Sequence, residues 1–364
     1  MGTSPLIIPP HGRRRRRWPR ARVWVAAAVT LACLGGLAAA LGLFAPARHR
    51  APARSASSAH LIASASGRTP PPVLAPPRSP LGLVLGTPPL TLQGLGTPAA
   101  DPLQVRFRRP PRAGLLFDLD SGLVLWQRNP LLRSRIASLT KMMTALLAVR
   151  AAPPHGGVLV SKEAVEAPGS KVGVLPRGRH VPFESMLYGL LLPSGNDAAV
   201  ALAQTISGSV DAFVTRMNVE AARLGLGCTR FSSPSGYFDE GNFSCAADLA
   251  VLAHVDLAQA RIAHVTRTAS TVLPFPIKGG KLYLYNNNPL LIYDYPGVTG
   301  LKTGYTTAAG RCLVATAERH GVRLGVVLLN SHAPATQARQ LLDLGFERVY
   351  HQRAEPESPF PAEA

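Results

Sequence analysis

The segment RIASLTKMMTALLAV, residues 135–149, decides how the rest of the chain is read. Leu139, Met142, Met143 and the run from Ala145 to Val149 make it apolar on nearly every side, the pattern of a helix buried inside a domain. Ser138 and Lys141 sit within that run, three positions apart and so on one face, with Cβ atoms roughly 5–6 Å from each other. A buried ammonium is costly unless paired, and burial lowers a lysine's pKa. A lysine that gives up its proton easily beside a hydroxyl is what a serine nucleophile needs. Taken alone, the pattern also describes a lysine that snorkels to the surface beside a helix-capping serine. The remainder of the chain has to decide.

Working outward, AGLLFDLDSGLVLWQRN ahead of this segment reads as two short strands joined by a turn at Asp118–Gly122. Beyond it, helical patterns cover 182–206, 209–224 and 244–255. Then GVTGLKTG, RCLVATAER and RLGVVLLN read as three strands joined by tight turns, and a last helix spans about 334–346. Two strands, a helical middle, three strands and a helix predict a mixed α/β (α+β) fold. Its expected form is a mainly antiparallel five-stranded sheet packed with helices, with the helical middle as a second lobe.

The 364 residues carry 34 prolines and a formal net charge of +19. Residues 1–104 hold 12 Arg against one Asp, so much of that charge lies in a stretch without apolar periodicity. The remaining basic residues are scattered, with no basic stripe interleaved with aromatics, which argues against nucleic acid. RRRRRWPRAR (13–22) precedes 23 uncharged, mostly apolar residues at 23–45, long enough at 1.5 Å per residue to cross a membrane. The positive-inside rule then keeps 1–22 in the cytoplasm and exports the chain beyond 45. Ala45-Pro46-Ala47 also has the form of a signal-peptide cleavage site, so a retained anchor and a secreted protein both stay open. From 46 to 104 the Pro/Ala-rich composition predicts a tether, with a folded domain at 105–350 and a polar tail at 351–364. In an exported domain Cys228 and Cys245 can pair, or stay buried as thiols with Cys312. No cysteine spacing resembles a zinc site.

Two further triplets give the opening lysine its meaning. PSGNDAA holds Ser194-Gly195-Asn196 in a break between helical runs, and GLKTGYT holds Lys302-Thr303-Gly304 on a candidate sheet edge. Each is weak singly. S-x-x-K, S-x-N and K-T-G in that order form the motif set of penicillin-binding proteins and serine β-lactamases. From about 112 to 347 the chain resembles the low-molecular-mass penicillin-binding proteins, the serine-type D-alanyl-D-alanine carboxypeptidases. The resemblance runs through LLLPSGNDAAVALA, SPSGYF, NNNPLL, GVTGLKTGYTTAAGRCLVATAERHG and LLDLGFERVY.

That resemblance implies a β-lactamase/transpeptidase-like fold, peptidoglycan stem peptides as substrate and β-lactams as covalent inhibitors, with no cofactor. It implies Ser138 as nucleophile, Lys141 as its proton acceptor and Ser194 as a proton relay. Asn196 would hold Lys141 and the substrate amide, Lys302 keep the cleft positive, and Thr303 bind the substrate carboxylate. Gly304 would let the substrate backbone lie close, and the backbone N–H groups of Ser138 and Tyr305 would form the oxyanion hole. Asp197 reads as a helix-cap residue, and Asn286–Asn288 as turn formers or cleft supports. Family members often carry a further β-domain and amphipathic anchor; here the run at 23–45 is the expected membrane attachment. Many also place an arginine some nine residues before the Leu-Leu of the last helix, where His332–Pro334 stand, so weak carboxylate binding is expected. A β-lactamase would need an added base, and neither Glu220 nor Glu240 has the required Asn four residues on. A D,D-endopeptidase cutting cross-links, or a non-catalytic peptidoglycan- or β-lactam-binding protein, remain the alternatives.

Overall fold

The structure is a computed structural model that describes residues 76–352, apart from 98–101, 104, 154 and 239. The basic segment 1–22, the apolar run 23–45, most of the expected tether and nearly all of the tail lie outside the described residues. Among the described residues no single helix is long and apolar enough to cross a membrane.

Strands β1 (Ala113–Asp118) and β2 (Val124–Arg128) form the expected hairpin, followed by the short β3 (Ser134–Arg135). Residues 135–149 then behave in two parts. A 3₁₀ turn over Ala137–Thr140 carries Ser138, and α1 (Lys141–Ala151) continues from it, buried from Lys141 to Ala148. The helical middle holds β4 (Gly157–Leu159), α2 (Lys162–Glu166), β5 (His180–Pro182), α3 (Phe183–Leu191), α4 (Asn196–Ser207) and α5 (Val210–Arg223). After it come β6 (Phe243–Ser244), α6 (Ala246–Leu257) and α7 (Ala260–Thr266). A hairpin of β7 (Ser270–Pro274) and β8 (Lys281–Tyr285) and the single turn α8 (Pro289–Ile292) lead to β9 (Val298–Thr306). The chain closes with β10 (Gly310–Arg319), β11 (Val322–Ser331) and α9 (Pro334–Leu344).

The main sheet has the order β2-β1-β11-β10-β9, antiparallel throughout, as the strand count predicts. Its central strands are buried on both faces, which is why β11 reads as a continuous apolar run rather than an alternation. On one face Leu115, Phe117, Val314 and Val327 pack with α1, α3, α4 and α6. On the other, Leu116, Leu313, Val326 and Leu328 meet Ala338, Leu341 and Leu342 of α9 and Phe346 beyond it. β9 is the free edge of the sheet and runs beside the 3₁₀ turn that holds Ser138.

Two features differ from expectation, and a third settles an open alternative. Residues ahead of 105 already pack on the domain: Leu90 is buried, Gly86 N–H donates to Ala222 O, and Val124 N–H donates to Gln93 O. A Pro/Gly-rich stretch conceals this, because it packs through isolated contacts and not through a periodic face. The β7–β8 hairpin and α7 fill a region left unassigned. Cys228 and Cys245 are joined in a disulfide, and Cys312 is a buried free thiol.

Candidate active site

Lys141 is fully buried, and its Nζ contacts three oxygens: Ser138 Oγ at 2.8 Å, Asn196 Oδ1 at 2.7 Å and Ser235 O at 2.9 Å. Two of these are carbonyl oxygens and can only accept. A neutral amine has two N–H groups, and the two carbonyls take both. Its lone pair is then left facing Ser138 Oγ. Burial, and next the charge of Lys302, push the Lys141 pKa well below its ordinary value, against a smaller opposing effect of Asp197. Geometry and electrostatics therefore agree on an amine ready to accept the serine proton.

Ser138 is held by the 3₁₀ turn, and β9 crosses directly in front of it. A Cβ at Gly304 would stand 2.9 Å from Ile136 O and 3.1 Å from Ser138 N. Glycine at 304 is thus needed for the strand to lie against the turn that holds Ser138. Gly304 also lines the cleft, where a close substrate approach is expected.

Lys302 is buried beneath the same strand, its Nζ donating to Thr303 O at 2.9 Å, and burial brings its pKa down to about 7. Thr303, Gly304 and Tyr305 line a cleft of about 360 Å³ together with Ser138 and Ser194, whereas Lys302 lies behind its wall. The Tyr305 ring is exposed at 67%.

Ser194 has φ +67°, a strained conformation for a residue other than glycine. Its Oγ is buried and makes no hydrogen bond among the described residues. A buried hydroxyl without a partner, at the wall of a cleft, is a donor and acceptor kept open for something else.

Asn196 holds Lys141 as expected. Its Oδ1 accepts from Lys141 Nζ and its Nδ2 donates to Pro168 O at 2.6 Å, so the carboxamide also ties the lysine to the 168–170 loop. Asp197 departs from expectation. Gly195 is the N-cap of α4, and the Asp197 carboxylate accepts from Val172 N and Gly173 N, fixing the loop that brings Ser170 to the cleft.

Several contributors carry no side-chain signal in the sequence. Ser235 acts through its carbonyl, and only the matching of SPSGYF hints at it. Asn286 donates to Thr266 O and Thr268 O, Asn288 caps α8, and Asn287 lines the cleft, so the triple asparagine both forms the turn and supports the site. Arg311 and Pro334 also line the cleft, and no motif points to either. Glu220 is engaged with Arg150 and Arg223, so it is not an added deacylation base. Among the described residues the one group of metal-ligand type, Cys228, Cys245 and Asp248, has both sulfurs in the disulfide.

Comparison with known proteins agrees with this geometry. Residues 110–333 match the family described as D-alanyl-D-alanine carboxypeptidase. The chain is 36% identical over 245 residues to D-alanyl-D-alanine carboxypeptidase DacF of Bacillus subtilis, covering 65% of this chain and 62% of that one. It is 37% identical over 245 residues to D-alanyl-D-alanine carboxypeptidase DacB2 of Mycobacterium tuberculosis, covering 65% and 82%. The match thus spans less than two thirds of the Bacillus relative. The crystal structure of the Streptomyces K15 DD-transpeptidase superposes with a TM-score of 0.62 at 29% identity, over 66% of this chain and 99% of that one.

Proposed function

The chain belongs to the D-alanyl-D-alanine carboxypeptidase family, and on that premise we propose that it is a serine D,D-carboxypeptidase trimming peptidoglycan stem peptides. The observation that carries the reading is the buried Lys141 Nζ, held 2.7 Å from Asn196 Oδ1 and 2.9 Å from Ser235 O and set 2.8 Å from Ser138 Oγ.

Ser138 Oγ attacks the carbonyl carbon between two D-alanines while Lys141 Nζ takes its proton. The backbone N–H groups of Ser138 and Tyr305 receive the oxyanion. The unpartnered Ser194 hydroxyl passes the proton from Lys141 to the leaving amine, and the C–N bond breaks. Terminal D-alanine leaves, and an ester to Ser138 remains. Water, deprotonated through the same lysine, attacks that ester and frees the shortened peptide and the serine. Asn196 keeps the lysine aimed, Thr303 binds the substrate carboxylate, and Lys302 adds positive potential from beneath β9. A β-lactam carbonyl is attacked in the same way, its ring C–N bond opening to leave an acylated Ser138.

We place the domain outside the cytoplasm, attached through 23–45. The arginines at 13–17, 20 and 22 ahead of that apolar run support this, as does a disulfide of the kind oxidising compartments preserve.

Free D-alanine released from a muramyl pentapeptide by the full chain, and lost in Ser138→Ala, is the expected result. Cleavage of a cross-linked peptide dimer without D-alanine release would move the reading to an endopeptidase. Neither product, with Ser138 still acylated by penicillin, would leave only a binding role.

A further inference from the structure

Arg311 is the second residue of β10, facing Tyr305 across one strand pair and Ser331 across the other. Its side chain reaches the cleft, where Nη1 donates to His332 O at 3.0 Å. His332 lies in the turn into α9, next but one to Pro334, which lines the same cleft. The guanidinium is therefore anchored at the cleft rim by one of its five N–H groups. Among the described residues Arg311 forms no ion pair.

The other cations near the site do not offer the same. The Lys141 amine is committed to Ser138, Asn196 and Ser235. Lys302 is buried behind the cleft wall with its Nζ on Thr303 O. Arg339, on α9, bonds to Asp343 and does not line the cleft. Arg311 is the guanidinium that lines the cleft, and a fixed fork of N–H donors matches a carboxylate in two-point contact.

We propose that Arg311 receives the free C-terminal carboxylate of the substrate and so sets the preference for an uncross-linked D-alanine end over an amidated or cross-linked one. This rests on the carboxypeptidase reading and adds a specificity residue to it. Thr303 lines the same cleft as Arg311. Because Arg311 is exposed to solvent, the preference weakens with added salt.

The test compares an acyl-D-alanyl-D-alanine peptide with a free C-terminus against its C-terminal amide. The readout is the ratio of kcat/KM on the acid to kcat/KM on the amide. In Arg311→Gln this ratio falls about tenfold to a hundredfold, the loss expected for one charge-assisted contact. The change lies mostly in KM, and Arg311→Lys recovers part of it. An unchanged ratio in Arg311→Gln overturns the proposal. If the wild-type chain releases product from neither peptide, the carboxypeptidase reading fails first. Calorimetric binding of acid and amide to Ser138→Ala, with and without Arg311→Gln, then decides: a loss confined to the acid upholds the assignment, and equal binding overturns it.

Discussion

Single residues set the chemistry here, and Lys141 and Lys302 show how. Each is buried, each has a lowered pKa, and the charge of Lys302 holds Lys141 lower still. In Lys302→Met that repulsion is gone and the Lys141 ammonium is easier to keep. The acidic limb of the pH profile for penicillin acylation therefore moves to higher pH, measurable as kcat/KM for acylation between about pH 4 and 9. A limb that stays in place would show that the two lysines do not sense each other. The residue types of this site were legible in the sequence, because S-x-x-K, S-x-N and K-T-G name them by spacing. What they touch was not. Asn196 spends its Nδ2 on Pro168 O, and Ser235 contributes a carbonyl that any residue could supply.

At the scale of elements, the site depends on β9 lying against the 3₁₀ turn. Gly304→Ala places a methyl 2.9 Å from Ile136 O, so strand or turn must shift by several tenths of an ångström. A misplacement of about 1 Å costs about a hundredfold in rate, which bounds the effect of this smaller shift. The expected outcome is a folded protein with acylation slowed by less than about a hundredfold, read by stopped-flow with a chromogenic cephalosporin. α6 holds a second testable group. Asp248 is buried against Thr229 and the Cys228 N–H, and burial raises its pKa from 3.8 to about 6. A folded-state pKa above the unfolded one stabilises the fold fully below about 3.8, and that contribution is lost as pH rises through about 6. Asp248→Asn removes this slope. Its stability relative to wild type, read by thermal melting, therefore improves from about pH 4 to pH 7, by at most about 3 kcal/mol. The five-stranded sheet was readable because its strands are apolar on both faces or close with turn residues. The hairpin β7–β8 was not read, although its burial alternates along both strands, because one exposed face dilutes the apolar signal.

For the whole molecule, the packing of residues 76–97 matters. Residues 76–97 cross from α5, where Gly86 bonds to Ala222 O, to the β1–β2 hairpin, where Gln93 bonds to Gly122 O. They tie the helical lobe to the sheet on either side of the cleft. A protein beginning at 105 loses this strap and melts several degrees below one beginning at 76, by calorimetry under identical conditions. Equal melting would mean that the strap adds no stability. Proline-rich composition hid the strap, since it orders by caps, turns and one buried leucine and presents no helix or strand period. The proposed chemistry turns on the opening segment, with Ser138 as a nucleophile made reactive by Lys141. Mass spectrometry of the full chain after timed exposure to benzylpenicillin measures this most directly, with wild type and Lys141→Ala compared at the peptide that carries Ser138. The expected result is one penicilloyl group on Ser138, formed about a hundred to ten thousand times more slowly without the lysine. A label on another residue, or Lys141→Ala acylated at the wild-type rate, would contradict it.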